Sequence, residues 1–84
     1  MGAIAARDAR DIVELAQNLL AIHLIAIAQA LDLRGLADAG PRTKAAHELL
    51  RKHVAFLDGD RRLDRDIART VDLIRSGELL QFRV

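Results

Sequence analysis

Residues 19–31, LLAIHLIAIAQAL, form an apolar run that only His23 and Gln29 interrupt. The run lies inside one long helical segment, because neither proline nor glycine occurs between residues 3 and 34. A helix that is apolar on all sides must be enclosed on all sides. The sequence therefore predicts an all-α fold whose first helix, at about residues 3–33, needs more neighbours than 84 residues can supply.

Two adjoining apolar stripes run along this predicted helix, because residues spaced alternately by three and four share a helical face. The first stripe contains Ile12, Leu15, Leu19, Ile22, Ala26, Gln29 and Leu33, and the second contains Val13, Ala16, Leu20, His23, Ile27 and Ala30. The opposite face begins with charged residues and continues with Ala21, Ile25 and Ala28. Such a helix is roughly 45 Å long, which exceeds the width of a compact domain of this size and predicts a larger helical bundle.

A second, shorter helix is predicted at about residues 44–53. Gly35 is placed to end the first helix in the left-handed conformation, and residues 35–42 form a loop. Thr43 is the predicted N-cap of the second helix. The predicted apolar stripe of this helix consists of Ala46, Leu49, Leu50 and His53.

A third helix is predicted at about residues 65–76, after a connector at residues 54–63. Asp64 is the predicted N-cap and Gly77 the predicted stop. Alternating charges on one side predict a solvated face formed by Asp66, Arg69, Asp72 and Arg75, and the inward residues are Ile67, Val71 and Ile74. Residues 1–84 thus form a single helical segment, whose tail at 78–84 adds a turn or lies along a neighbour.

Composition excludes several classes of function. A net charge of +1 gives no electrostatic case for binding nucleic acid or anionic membrane. The chain has no cysteine, which excludes a disulfide framework and fits a reducing compartment. The apolar run is shorter than the ~20 residues of a membrane span, and the sequence shows no convincing targeting signal. We therefore predict a cytoplasmic protein without nucleic-acid or membrane partners.

No metal site is predicted. His47 and His53 lie six residues apart, which is a rotation of about 240° around a helix. They therefore cannot bind one metal ion from the same helical face. A group of carboxylates superficially resembles a calcium loop, but Gly59 stands second rather than sixth and three arginines neutralise the charge. A solvated, salt-bridged connector is the better interpretation of this group, which consists of Asp58, Asp60, Asp64 and Asp66.

No catalytic or cofactor-binding residue is predicted either. His23 is expected to be neutral and hydrogen-bonded to a neighbouring element, with a functional role as the alternative. Gln29 on the first stripe is compatible with helix pairing, because a buried polar residue can fix the register of paired helices. Ser76, the only serine, has no base spaced to activate it and is expected to cap a helix end.

Short motifs in a fixed order nevertheless resemble one enzyme family. They are Met1-Gly2, Ala5-Ala6-Arg7, Leu20-Ala21-Ile22, residues 28–34 (AQALDLR), residues 48–51 (ELLR), Phe56-Leu57, Asp60-Arg61, Leu63, Asp66-Ile67 and Ser76-Gly77. Their order and spacing are similar to the C-terminal end of the aromatic amino acid lyases, the histidine, phenylalanine and tyrosine ammonia-lyases and related aminomutases. Arg62 departs from the family, which usually carries proline there.

The resemblance implies a whole enzyme that eliminates or shifts the α-amino group of an aromatic amino acid. The family's electrophile is a methylidene-imidazolone formed from an internal Ala-Ser-Gly, which this sequence lacks, and its catalytic tyrosines are also absent. We therefore expect this chain alone to be inactive and to supply bundle and cap to sites built elsewhere, in a tetrameric assembly. Its partners would be the remainder of the enzyme or copies of itself.

A stand-alone helical oligomerisation module without catalytic activity is the alternative. In that case the apolar faces of the first helix would pair with copies of themselves. The substrate amino acid, and the choice between lyase and aminomutase, stay open on the sequence alone.

Overall fold

The chain folds into three α-helices in a computed structural model that describes residues 2–57, 59 and 61–79. Helix α1 spans Gly2–Arg34, α2 spans Pro41–His53 and α3 spans Asp64–Ser76. No strand occurs within the described residues. The predicted all-α class and the three helices are therefore confirmed, while the predicted tail beyond residue 79 lies outside the described residues.

Glycines end two of the helices as predicted. Gly35, directly after α1, has φ +93°, and Gly77, at the end of α3, has φ +78°. Residues with a Cβ are strained in this left-handed region. The Gly77 N–H donates to the Ile74 carbonyl at 3.3 Å, which closes the last turn of α3.

The predicted N-caps of α2 and α3 were wrong, and α2 begins earlier than predicted. Helix α2 begins at Pro41, three residues before the predicted start at 44, with Gly40 rather than Thr43 at the N-cap. Proline is favoured at the first helical position because its fixed φ suits a helix and its missing N–H has no partner there. Helix α3 includes Asp64, and Leu63 takes the N-cap position without a side-chain hydrogen bond.

The opposite face of α1 packs against the rest of the chain. Ala21 and Ala28 on this face are buried, with 0% and 3% of their surface exposed, and Ile25 is half-buried. Small side chains at these positions allow α3 to lie close to α1. The main core cluster consists of Ala28, Leu50, Val54 and Leu73, and Leu24, Ile25, Leu49 and Leu79 pack around it.

Both predicted apolar stripes of α1 remain exposed. Every residue of the two stripes is exposed except the half-buried Gln29. Leu15 and Leu19 expose 63% and 57% of their surface, for example. By length and composition alone α1 could also cross a membrane, as could many core helices of soluble proteins. The described chain thus covers one face of α1, and the predicted enclosure of the other faces requires further protein.

Some predicted orientations on the shorter helices were wrong. His53 is exposed rather than part of an apolar stripe, because α2 ends there and the chain enters the core at Val54. Asp66 was predicted on the solvated face but is only 8% exposed, because it pairs with Arg61. Of the predicted inward residues of α3, Val71 is buried while Ile67 and Ile74 are half-buried.

Candidate functional site

The main polar cluster joins the last turn of α1 to α2. Asp32 accepts a hydrogen bond from His47 Nε2 at 2.9 Å on Oδ1, and two from Arg51 on Oδ2, from Nε at 2.9 Å and Nη2 at 2.7 Å. His47 and Arg51 are four residues apart and therefore share one face of α2. The side chains of Asp32, His47 and Arg51 are 23%, 9% and 16% exposed, so the cluster is largely shielded from solvent.

Arg51 extends this cluster to the connector after α2. Its Nη1 donates to the Val54 carbonyl at 3.1 Å, and its guanidinium carbon lies 5.8 Å from the centroid of the Phe56 ring. A cation at this distance from an aromatic ring is attracted to it. One arginine therefore links α1, the end of α2 and the connector.

Asp32 is charged at neutral pH. Burial alone would raise the pKa of its carboxyl, but the hydrogen bonds from Arg51 and His47 and their charges outweigh burial and lower the pKa below its ordinary value. The cluster is therefore built around a carboxylate whose hydrogen-bond acceptors are occupied by two α2 side chains.

Two further side chains, Gln29 and Arg61, hold the connector at residues 54–63 in place by hydrogen bonds. Gln29 Nε2 donates to the Leu57 carbonyl at 2.8 Å, and the Leu57 N–H donates to Gln29 Oε1 at 3.1 Å. Arg61 donates to the carbonyls of Ala55 and Phe56 at 2.6 and 3.0 Å, and to Asp66 Oδ2 at 3.0 Å. The connector is thus tied to α1 by Gln29 and to α3 by Arg61.

The cluster offers structure rather than reaction chemistry. The Asp32 oxygens accept bonds from two residues of the same chain, and no side chain in the cluster is a nucleophile of the Ser, Thr or Cys type. No group of three or more potential metal ligands occurs in the described ranges 2–57, 59 and 61–79. What the geometry supports is the positioning of α2 and the connector on α1.

The structure does not gather the residues considered from the sequence into one site. His23 Nδ1 bonds the Leu19 carbonyl of its own helix at 2.9 Å and is exposed, so the expected bond to a neighbouring element was wrong. Within the carboxylate group that was predicted to form a salt-bridged connector, Asp58 and Asp60 lie outside the described residues. Asp64 pairs with Arg62 at 3.2 Å.

The Asp32 cluster was missed by sequence reasoning. The available signal was the four-residue spacing of His47 and Arg51, together with an acid at the end of the preceding helix. Their meeting depends on how the loop at residues 35–40 turns the chain back, and residue spacing does not contain that information.

Comparison with known proteins identifies the family. Residues 1–52 match the family model described as aromatic amino acid lyase. The chain is 45% identical over 80 residues to a histidine ammonia-lyase of Stigmatella aurantiaca, and 44% identical over 80 residues to one of Myxococcus xanthus. A histidine ammonia-lyase of Symbiobacterium thermophilum is 42% identical over 80 residues. This chain therefore belongs to the aromatic amino acid lyase family.

These alignments cover very different shares of the two sequences. Each spans 95% of this chain but 16% of the relative. The chain thus corresponds to about a sixth of the length of these relatives. No solved structure matches the chain.

Proposed function

We propose that this chain is the C-terminal bundle and cap portion of an ammonia-lyase that eliminates ammonia from histidine. The similarity to histidine ammonia-lyases over nearly the whole chain supports this assignment. The names of those relatives favour histidine over phenylalanine or tyrosine, and elimination over the amine shift of an aminomutase. In this role α1 is one of the helices of a larger bundle, and α2 and α3 cap the end of that bundle. The assembled enzyme is a cytoplasmic oligomer.

The observation that carries the proposal is the exposure of two of the three faces of α1. Fully burying a leucine or isoleucine contributes about 1.5–3 kcal/mol. Leu15, Leu19, Ile22 and Ile27 expose between 47% and 63% of their surface. Partner helices that cover them would therefore contribute several kcal/mol to an assembly, which fits a segment that supports sites built by other parts of an enzyme.

The residues of this chain do not fit the family's methylidene-imidazolone group. The sequence contains no Ala-Ser-Gly. Its Ser76 lies at the end of α3, where the hydroxyl donates to the Leu73 carbonyl at 2.7 Å and accepts from the Glu78 N–H at 3.3 Å. Ser76 thus has the capping position expected from the sequence. The electrophile of the proposed enzyme must come from other sequence.

A chimeric enzyme tests the proposal. The matching segment of the Stigmatella aurantiaca histidine ammonia-lyase is replaced by this chain, and release of the unsaturated acid from histidine is followed by ultraviolet absorbance. We expect an active oligomer. Introducing Leu19→Asp on the exposed stripe should abolish assembly and activity, whereas the matched change Ala9→Asp near the exposed start of α1 should preserve both.

Three results would contradict the proposal. The first is a chimera that assembles normally but is inactive. The second is ammonia-lyase activity from the 84-residue chain alone. The third is a defined small oligomer of the isolated chain in sedimentation experiments, which would favour the stand-alone oligomerisation module.

A further inference from the structure

His23 lies in the middle of the exposed face of α1. It is two residues from the buried Ala21 and two from the half-buried Ile25, so at about 100° per residue it points nearly opposite to both. The neighbours on its own face, three or four residues away along the helix, are all apolar and exposed, and they are Leu19, Leu20, Ala26 and Ile27. His23 is thus a polar side chain at the centre of an apolar surface.

The hydrogen bond from His23 to its own helix determines which ring nitrogen carries the hydrogen. Nδ1 lies 2.9 Å from the Leu19 carbonyl oxygen. A carbonyl oxygen only accepts hydrogen bonds, so Nδ1 must be the donor, and in a neutral imidazole Nε2 then has no hydrogen. Nε2 of the neutral ring is therefore a hydrogen-bond acceptor on the exposed face of α1.

Covering this face leaves Nε2 in need of a hydrogen-bond donor. The proposed function, on which this inference rests, encloses the face between helices of one enzyme. A charged ring enclosed by apolar side chains is costly, and none of the four neighbours carries a compensating charge, so the neutral ring is the form that becomes buried. A buried acceptor that finds no donor is destabilising. We propose that the helix packed on this face presents a hydrogen-bond donor, a hydroxyl or an amide N–H, to Nε2 of His23.

A second copy of α1 does not supply this donor from its apolar stripes. The polar side chains on the two stripes are His23 and Gln29. The Nδ1 hydrogen of His23 is used within its own helix, and the Gln29 amide is bonded to the Leu57 backbone. An antiparallel pair centred on His23 would therefore set two acceptors against each other. The partner helix thus comes from sequence outside these 84 residues, which fits a chain that spans 16% of the length of its relatives.

Nitrogen-15 NMR of the imidazole rings in the full 84-residue chain tests the acceptor. The signals of His23 are assigned by their loss in His23→Gln. In the neutral ring we expect the hydrogen on Nδ1, held by the Leu19 carbonyl. A hydrogen on Nε2 would overturn the proposal, because the ring would then present a donor to its partner.

The chimera with the Stigmatella aurantiaca enzyme tests the donor. His23→Gln keeps an acceptor oxygen, His23→Leu has no polar atom, and His23→Lys offers donors only. We expect His23→Gln to assemble like the unmodified chimera. His23→Leu and His23→Lys should shift the equilibrium between assembled and dissociated chimera, measured by sedimentation at a fixed urea concentration, by on the order of tenfold. The isolated chain is the matched control, because His23 is exposed there and the same changes should leave its urea midpoint nearly unchanged.

The order of the three variants decides the outcome. A His23→Leu chimera that assembles as well as the unmodified one would overturn the proposal, because the partner would then be apolar at this point. An intact His23→Lys chimera would overturn it as well, because the partner would then offer an acceptor. Equal losses in all three variants would indicate a packing role and would also overturn it. Failure of the unmodified chimera to assemble would instead contradict the proposed function, and this inference would be rejected with it.

Discussion

Replacing Gln29 with leucine tests whether Gln29 stabilises the fold by binding the connector, as the structure shows, rather than by acting only in helix pairing. The side-chain amide makes two hydrogen bonds with the Leu57 backbone, at 2.8 and 3.1 Å. Each such bond contributes about 0.5–1.5 kcal/mol net, and their shared site is half-buried, so we expect a loss of about 1.5 kcal/mol. For a chain of this size that loss lowers the Tm by roughly 6–12 °C.

Thermal unfolding followed by far-ultraviolet circular dichroism measures this change in the isolated chain at a fixed concentration. Glutamine and leucine have similar helix propensities, so the substitution does not weaken α1 itself. Asn18→Leu is the control, because Asn18 is exposed and bonds only the Glu14 carbonyl of its own helix at 3.0 Å. The reasoning is refuted if Gln29→Leu unfolds within about 2 °C of the unmodified chain.

Two further predictions concern the Asp32 cluster and the packed face of α1. The lowered pKa of Asp32 means that its carboxylate stabilises the fold above about pH 4 and that this contribution is lost as the pH falls through the folded-state pKa. Urea midpoints of Asp32→Asn and the unmodified chain should therefore differ at neutral pH and converge in strong acid, and a constant difference would contradict this. Ala21→Leu should cost about 1–3 kcal/mol, because Ala21 is 0% exposed. The exposed Ala26→Leu should change stability by less than about 0.5 kcal/mol in urea denaturation, and equal effects of the two would contradict the assigned faces.

Helix positions were predictable where local backbone chemistry decides them. The absence of proline and glycine from residues 3–34 predicts α1 almost to its ends. Gly35 and Gly77 could be assigned as helix stops because no other residue adopts a positive φ as readily. The start of α2 was misplaced because two rules competed, and proline at the first position of a helix prevailed over threonine as an N-cap.

Packing partners were harder to predict than helices. The large apolar residues of the two stripes predict that these faces of α1 are packed. In the structure α3 instead packs on the face that carries Ala21 and Ala28. Small residues give a weak hydrophobic signal but permit close approach of helices. Asp66 illustrates the same difficulty. The alternating charges on α3 predict that Asp66 is exposed, but in the structure it is buried and pairs with Arg61 of the connector.

The packing of α3 on α1 also sets the order in which the chain can fold. Gln17 and Arg75, whose side chains bond at 3.0 Å, are 58 positions apart in the sequence. At about 5–20 residues per second, synthesis of that stretch takes roughly 3–12 s, far longer than the microseconds in which a helix forms. During that time the packing face of α1 and both of its apolar stripes are uncovered. The small alanines on that face therefore limit the apolar surface that the growing chain presents to aggregation before α3 arrives.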